Sequence, residues 1–280
     1  MTNPIRLGIF GWPVAHSKSP QMHQSAAAAL GIELRYERFE VAPEGLAEAI
    51  RARHAAGIDG YNLTVPHKEA VMPLLDEVAP AARAIGAVNT VVRTDGRYLG
   101  HNTDAPGLVR SLEQAGVSVR GARVVVLGAG GASRAAVVGL ANAGAAQISV
   151  LSRRPEQGEA LRRSLAGELA CGLEVAPLSD AENRFAGATL LVQATSATLE
   201  SNPGAQAFAE SVPIEALPDE AAVLDMVYKP LQTALLARAQ ERGLRTVDGL
   251  GMLLHQGAIA FEMWTGFEPP LDVMRAALAD

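Results

Sequence analysis

The chain has 280 residues, and at roughly 150 residues per domain this length predicts about two domains. Hydrophobic residues make up 49% of the chain and charged residues 19%, a composition that excludes an intrinsically disordered protein. The formal net charge is -6, so the chain has no overall positive field with which to bind nucleic acid or an anionic membrane.

Short β-branched runs alternate with alanine-rich periodic runs in the first hundred residues, which predicts a βαβ order. Ser19 and Pro20 are typical of the N-cap and first position of a helix, and Gly31 is typical of its end. Strands joined by crossover helices usually pair in parallel, so we expect the loops of this part to gather at one edge. The predicted strands and helices are Ile5–Phe10, Ser19–Leu30, Leu34–Val41, Gly45–Ala56, Gly60–Leu63, Lys68–Glu77 and Val88–Arg93.

A more regular series of strands and helices begins near Arg123. No linker rich in Ser, Gly or Pro separates it from the first series, and a helix over Asp104–Ala115 is the predicted boundary. Together the two series predict an α/β protein with two lobes. The predicted elements are Arg123–Leu127, Gly131–Ala143, Gln147–Leu151, Pro155–Leu169, Leu173–Ala176, Leu190–Gln193, Val223–Met226, Thr233–Arg242, a helix from Gly249 to Thr265 and a last helix after Pro270.

A glycine-rich turn follows the apolar strand Val124–Leu127 and leads directly into a helix. Gly128 permits a tight turn and Gly130 permits a close approach of the backbone to a pyrophosphate, while the helix start offers free N–H groups to an anion. The third position of the motif is Ser133 instead of glycine. The pattern alone is weak evidence, but the strand before it and the helix after it favour a dinucleotide site.

The next strand ends in Ser152, Arg153 and Arg154, where a site for NAD would carry an acidic residue. Guanidinium groups bind a 2′-phosphate through charge-assisted hydrogen bonds, so this sequence favours NADP. The alternative is that both arginines are solvated residues at a helix start. Positive charge is mildly unfavourable at the N-terminal end of a helix. A bound anion would offset this effect, so the position of the two arginines favours an anionic ligand.

Polar motifs also occupy the loops of the first series. Ser17 and Ser19 place two hydroxyls beside a helix start, where a carboxylate can bind, although Ser19 alone is explained by capping. Lys68 is one of three lysines in a chain that otherwise uses arginine, and an ammonium group can exchange a proton where a guanidinium cannot. For Asp104, taken by itself, helix capping is favoured over catalysis.

Seven motifs occur in order between residues 16 and 261: HSxSP, NxTVPHK, GAVNT, NTD, GAGGASRA, DMVYKPLQT and DGLGMLLHQGAIAF. Together they resemble the NADP-dependent shikimate dehydrogenase family over nearly the whole chain. The resemblance implies a discontinuous α/β substrate-binding and catalytic domain, residues 1–104 plus 250–280. It also implies a Rossmann-type NADP-binding domain over residues 105–249.

The resemblance also implies the functional residues. The catalytic pair is Lys68 and Asp104. The substrate-binding residues are Ser17 and Ser19 for a carboxylate, Asn62, Thr64, Asn89 and Gln256 for ring hydroxyls, and Tyr228 at the same cleft. The cofactor-binding residues are Gly128, Gly130, Gly131, Ala132, Ser152, Arg153, Arg154, Thr195, Ser196 and Gly249. Ser152 and Gln193 depart from the family pattern, which usually has Asn at both positions, so we expect the details of cofactor binding to differ there.

The implied activity is the reversible NADPH-dependent reduction of 3-dehydroshikimate to shikimate in aromatic amino-acid biosynthesis, catalysed by an oxidoreductase. Two alternatives stay open: a quinate/shikimate dehydrogenase, and a catalytically silent nucleotide-binding protein of the same fold. The expected partners are a small-molecule substrate and NADP, with no metal, nucleic acid or membrane, and the chain is expected to be a monomer or homodimer. A single cysteine, Cys171, and the lack of a signal-like start at Met1 favour a cytoplasmic location.

Overall fold

The computed structural model describes residues 4–279, which fall into two compact units. The first unit runs to Thr103 and resumes at Gln256, and the second is Asp104–His255. The strands are β1 (Ile5–Gly11), β2 (Leu34–Glu40), β3 (Gly60–Leu63), β4 (Glu77–Val78), β5 (Thr90–Thr94), β6 (Arg97–His101), β7 (Arg123–Leu127), β8 (Gln147–Ser152), β9 (Gly172–Pro177), β10 (Leu190–Gln193), β11 (Ala222–Asp225) and β12 (Arg245–Val247). The helices are α1 (Ser19–Ala29), α2 (Leu46–Ala55), α3 (His67–Ala70), α4 (Pro80–Ile85), α5 (Asp104–Gln114), α6 (Gly131–Asn142), α7 (Pro155–Ser164), α8 (Ala181–Phe185), α9 (Ala205–Ser211), α10 (Ala234–Glu241), α11 (Gly249–Thr265) and α12 (Leu271–Ala279).

The sheet of the first unit has the strand order β2-β1-β3-β5-β6-β4. β1 pairs in parallel with β2 and β3, as expected, but β5 is antiparallel to both β3 and β6. The pairing of β5 with β6 follows from the two-residue turn Asp95-Gly96 between them, whose φ angles are 51° and 80°. A turn of this kind reverses the chain into a hairpin, so the sheet is mixed.

Two predicted helix boundaries in the first unit differ from the structure. Helix α1 has Lys18 at its N-cap position, and the Oγ of Ser17 accepts a hydrogen bond from the backbone N–H of Ser19 at 3.3 Å. The predicted helix Lys68–Glu77 is shorter, because a 3₁₀ turn over Met72–Leu74 that contains a proline follows α3. Gly31 has the predicted left-handed conformation after α1, with φ of 67°.

The sheet of the second unit has the order β12-β11-β10-β7-β8-β9, and every neighbouring pair is parallel. Counted along the chain, this is the order 3-2-1-4-5-6 of a Rossmann fold. The central strands are continuous apolar runs, and Val124 to Leu127 of β7 are all buried, which is typical of a parallel sheet covered on both faces. The order reverses between β7 and β10, and ligands of such sheets bind outside the carboxyl ends of the strands at this point.

His23 of α1 is a fully buried histidine in an aromatic environment. Its ring stacks on Tyr36, with centroids 4.9 Å apart and planes 11° from parallel. Within residues 4–279 neither ring nitrogen forms a hydrogen bond of ordinary geometry, and the side chain of Asn62 is a polar neighbour of the ring. Burial disfavours the charged form and lowers the pKa of His23 from 6.5 to about 3. The unfolded chain therefore binds a proton at His23 below about pH 6.5 that the folded chain does not bind, so folding stability decreases as the pH falls.

We expect His23→Phe to reduce the loss of stability between pH 7.5 and pH 5 by about 2 kcal/mol, because the substituted ring cannot be protonated. Urea unfolding followed by tryptophan fluorescence measures this effect, since Trp12 and Trp264 both lie in the first unit. His16→Gln, a change at an exposed histidine, serves as the control and should leave the pH dependence unchanged. If the free energy of unfolding had the same pH dependence in His23→Phe and in the unaltered chain, the lowered pKa of His23 would be contradicted.

Candidate functional sites

In the glycine turn after β7, glycine is needed at two positions for different physical reasons. Gly128 has a φ of 110°, and a Cβ there would lie 2.6 Å from the Cγ2 of Thr195, so the chain itself requires glycine. Gly130 has a φ of -88°, which any residue can adopt, and a Cβ there would meet no neighbouring atom within 4 Å. The described chain therefore leaves space over the backbone of Gly130, as the close approach of a pyrophosphate requires.

A cavity of about 570 Å³ lies at the carboxyl ends of β7, β8 and β10. It brings together most of the cofactor-binding residues predicted from the sequence: Gly128, Gly130, Gly131, Ala132, Ser152, Arg153, Arg154, Thr195 and Ser196. Gln157, Asn202 and Phe208 also line it and were missed by the sequence analysis. Gln157 could have been found from its position in the first turn of α7, but nothing in the sequence near Phe208 marks it as a cavity residue.

Arg153 and Arg154 carry the positive charge of this cavity. Both side chains are exposed, and in the described part of the chain neither guanidinium forms an ion pair or a hydrogen bond. The hydroxyl of Ser152 is buried and donates to the backbone oxygen of Arg154 at 2.9 Å, so it stabilises the turn that carries the arginines. The cavity therefore presents two cations to which an anion can bind.

Gln193, one of the two departures from the family pattern, organises the loop after β10. Its Oε1 accepts from the backbone N–H of Thr195 at 2.6 Å, and its Nε2 lies 2.8 Å from Thr198 Oγ1 and 3.2 Å from Asp225 Oδ1. Asp225 is fully buried, and burial raises the pKa of its carboxyl group. These contacts connect the cavity loop to the end of β11.

Gly249 and Tyr228 lie outside this cavity. Gly249 begins α11 and packs against the loop after β11, where a Cβ would lie 2.5 Å from the backbone oxygen of Met226. This close packing alone explains the glycine. Tyr228 belongs to the same loop, and 41% of its surface is exposed.

The predicted substrate-binding residues of the first unit lie at one edge of its sheet. Ser17 and Ser19 follow β1, while Asn62 belongs to β3 and Thr64 comes directly after it. The backbone N–H of Thr64 donates to the oxygen of Phe10 at 2.9 Å, which joins the ends of these two strands. Lys68 lies in α3, the next element along the chain.

A buried hydrogen-bond network connects three of these residues. The Nδ2 of Asn62 donates to the backbone oxygen of Asn89 at 3.0 Å, and the Nδ2 of Asn89 donates to Thr103 Oγ1 at 3.0 Å. Thr103 Oγ1 in turn lies 3.5 Å from the Oε1 of Gln256. Thr103 was not predicted as a site residue, although it lies in the NTD motif. Asp104 follows it as the first residue of α5 and of the second unit.

Residues 4–279 contain neither a candidate metal site nor a candidate membrane span. No group of three or more His, Cys, Asp or Glu side chains in this range could hold a metal ion. No helix in the same range has both the length and the apolar character needed to cross a membrane.

The strand order of the second sheet, the glycine turn and the two arginines define a dinucleotide-binding α/β protein. Three family models match the chain: the shikimate dehydrogenase substrate binding domain over residues 9–91, shikimate / quinate 5-dehydrogenase over residues 110–203, and the shikimate 5'-dehydrogenase C-terminal domain over residues 249–279.

Relatives of known identity match nearly the whole chain. The shikimate dehydrogenase (NADP(+)) of Symbiobacterium thermophilum is 47% identical over 277 residues, which cover 97% of this chain and 92% of the relative. The structure of shikimate 5-dehydrogenase from Thermus thermophilus in complex with NADP(H) and shikimate superposes with a TM-score of 0.86 at 40% identity, covering 98% of both chains. Quinate dehydrogenase from Corynebacterium glutamicum in complex with NAD superposes with a TM-score of 0.89 at 32% identity, covering 99% of both chains.

The chain therefore belongs to the shikimate dehydrogenase family. The resemblance predicted from the seven motifs is confirmed, and so is the α/β fold with a Rossmann-type domain.

Proposed function

We propose that this protein catalyses the reversible NADPH-dependent reduction of 3-dehydroshikimate to shikimate, a step of aromatic amino-acid biosynthesis. The observation that carries the proposal is the 47% identity, over 97% of the chain, to a relative named shikimate dehydrogenase (NADP(+)). The unpaired guanidinium groups of Arg153 and Arg154 in the cavity of the Rossmann domain support the choice of NADP over NAD.

On the substrate side, the hydroxyls of Ser17 and Ser19 bind the carboxylate of shikimate in this proposal. Asn62, Thr64, Asn89 and Gln256 contact its ring hydroxyls, and Tyr228 is a further substrate-binding residue of the proposal. Support for this assignment comes from the shared sheet edge and from the network that joins Asn62, Asn89 and Gln256. A network with few alternative arrangements holds its polar groups ready for a ligand, which lowers the entropic cost of binding.

Lys68 and Asp104 are the catalytic pair of the proposal. Bound NADPH supplies the hydride. Reduction of a carbonyl converts its oxygen to an alkoxide that must gain a proton, so the site needs a positive charge or an acid at that oxygen. The ammonium of Lys68 provides either, and Asp104 orients the hydroxyl that forms. In the reverse direction the same groups remove the proton as the C3 hydroxyl becomes a carbonyl.

On the cofactor side, the glycine turn and Arg153 bind the dinucleotide. Gly130 lets the backbone approach the pyrophosphate, and the N–H groups at the start of α6 donate to it. Arg153 binds the 2′-phosphate, with Arg154 beside it, and Thr195 and Ser196 lie towards the nicotinamide half. Gly249 stands beside the nicotinamide in this scheme.

Initial rates with shikimate and with quinate, each measured against NADP⁺ and NAD⁺ by absorbance at the reduced nicotinamide, test the proposal. We expect shikimate with NADP⁺ to give the highest kcat/KM of the four combinations. A higher value for quinate with NAD⁺ would instead identify a quinate dehydrogenase. Tight NADPH binding with no turnover of either acid would identify a silent nucleotide-binding protein. The cytoplasmic location and the choice between monomer and homodimer stay predictions.

A further inference from the structure

The side-chain amide of Asn62 is held on three sides by buried neighbours. Its Nδ2 donates to the backbone oxygen of Asn89 and to Thr90 Oγ1, both at 3.0 Å. Its Oδ1 accepts a hydrogen bond from the hydroxyl of Tyr36 at 2.6 Å. An amide has two hydrogens, and these contacts of Nδ2 use both, so only Oδ1 is left to a ligand. The ring of His23 is a further polar neighbour of this side chain. Asn62 can therefore act towards a ligand only as a hydrogen-bond acceptor.

Tyr36, which makes the contact to Oδ1, is itself rigidly placed. It lies in β2 and is 5% exposed, and its ring packs between His23, at 4.9 Å in a stacked geometry, and Trp264, at 6.2 Å in an edge-on geometry. Burial raises the pKa of Tyr36 well above its usual value, so the hydroxyl keeps its proton and stays a donor. The side chain of Ser19 also forms a hydrogen bond with Tyr36, which acts in the opposite direction on that pKa.

The hydroxyl of Tyr36 thus contacts two residues to which the proposed function assigns substrate binding, Ser19 and Asn62, although Tyr36 belongs to none of the seven motifs. Thr90 extends the same network, because its Oγ1 lies 3.1 Å from the Oδ1 of Asn89 and 3.1 Å from Thr103 Oγ1. The network therefore begins at the edge strand β2 and continues through β3 and β5 to Gln256. Tyr36 is the group at its outer end.

We propose that Tyr36 is a positioning residue for the substrate, which acts by holding Asn62 so that its Oδ1 accepts a hydrogen bond from a ring hydroxyl. This inference rests on the proposed function. It also makes Asn62 a determinant of specificity, because a ketone oxygen placed against it would find no donor, whereas a hydroxyl would find an acceptor. Loss of one buried hydrogen bond that positions the acceptor corresponds to a change of about tenfold in substrate affinity.

Tyr36→Phe removes only the hydroxyl and is the direct test. We expect it to raise the KM and the calorimetric Kd for shikimate about tenfold, with the KM for NADP⁺ within about twofold of the unaltered chain. Tyr98→Phe is the matched control. Tyr98 is also buried in the first unit, and its hydroxyl donates to the backbone oxygen of Ile58 at 3.1 Å, outside the network. A role of Tyr36 in folding alone would give the two variants the same shikimate KM, and that result would overturn the inference.

The Asn62→Ala background tests whether Tyr36 acts through Asn62. Adding Tyr36→Phe to Asn62→Ala should change the shikimate Kd by less than about twofold, because the side chain through which the hydroxyl acts on the substrate is already gone. A full effect of about tenfold in that background would overturn the inference while leaving the proposed function intact. Failure of the unaltered chain to oxidise shikimate would overturn the proposed function, and with it the inference.

Discussion

Lys68→Ala is expected to lower kcat for shikimate oxidation by about a thousandfold, with a change in KM of only a fewfold. The physical reason is that the oxygen at C3 carries its developing negative charge in the transition state and not in the bound substrate. Loss of the ammonium therefore raises the energy of the transition state more than that of the bound complex. Steady-state kinetics at saturating NADP⁺ measure both constants.

Two further lysine variants sharpen this test. Lys229→Ala removes an exposed lysine and should leave kcat unchanged. Lys68→Arg keeps a positive charge in a group that does not give up its proton, so partial recovery of kcat would indicate an electrostatic role and no recovery would indicate proton transfer. An unchanged kcat in Lys68→Ala would remove this residue from the chemistry.

Arg153→Ala is expected to raise the KM for NADPH by about 10- to 100-fold while leaving the KM for NADH nearly unchanged. A hydrogen bond to a charged group contributes about 1.5 to 3 kcal/mol, which corresponds to this range in affinity. Only NADPH carries the 2′-phosphate that the guanidinium binds in the proposed function, so the loss should be specific to NADPH. Fluorescence titration of both reduced nucleotides measures the same difference without catalysis.

Arg162→Ala provides the control for that experiment. Arg162 lies in α7, the helix that follows Arg153, but it pairs with Glu159 at 2.9 Å on the surface, so its removal should affect neither nucleotide. The loss of NADPH affinity in Arg154→Ala, compared with that in Arg153→Ala, shows which of the two arginines contributes more to binding. Equal losses of affinity for NADPH and NADH in Arg153→Ala would mean that the arginine stabilises the turn and does not bind the 2′-phosphate.

The sequence predicts the Rossmann-type domain and its turn well, because the signals are local. Val124 to Leu127 form a continuous apolar strand, and the glycines directly after it leave few alternatives to a tight turn into a helix. The seven motifs likewise predict the family, since they occur in order over nearly the whole chain. In the first unit, the carboxyl ends of β1 and β3 bring their loops together as expected from parallel pairing.

Other features could not be predicted because they depend on contacts between distant segments. Tyr36 reaches Asn62 across the sheet, and nothing in the sequence of β2 distinguishes it from any buried tyrosine. The contact of Thr103 with Gln256 joins residues 153 positions apart. The antiparallel pairing of β5 with β6, by contrast, has a signal in the sequence, since Asp95-Gly96 is typical of a hairpin turn.

The central claim is that Lys68 and Asp104 act as one catalytic unit, and a double-mutant cycle tests it most directly. The measurement is kcat for shikimate oxidation in the unaltered chain, Lys68→Ala, Asp104→Asn and the double variant. If the two side chains act as a unit, the double variant should be within about tenfold of the slower single variant, because either change alone already disables the unit. Losses that multiply, so that the double variant is slower by the product of both effects, would contradict the account.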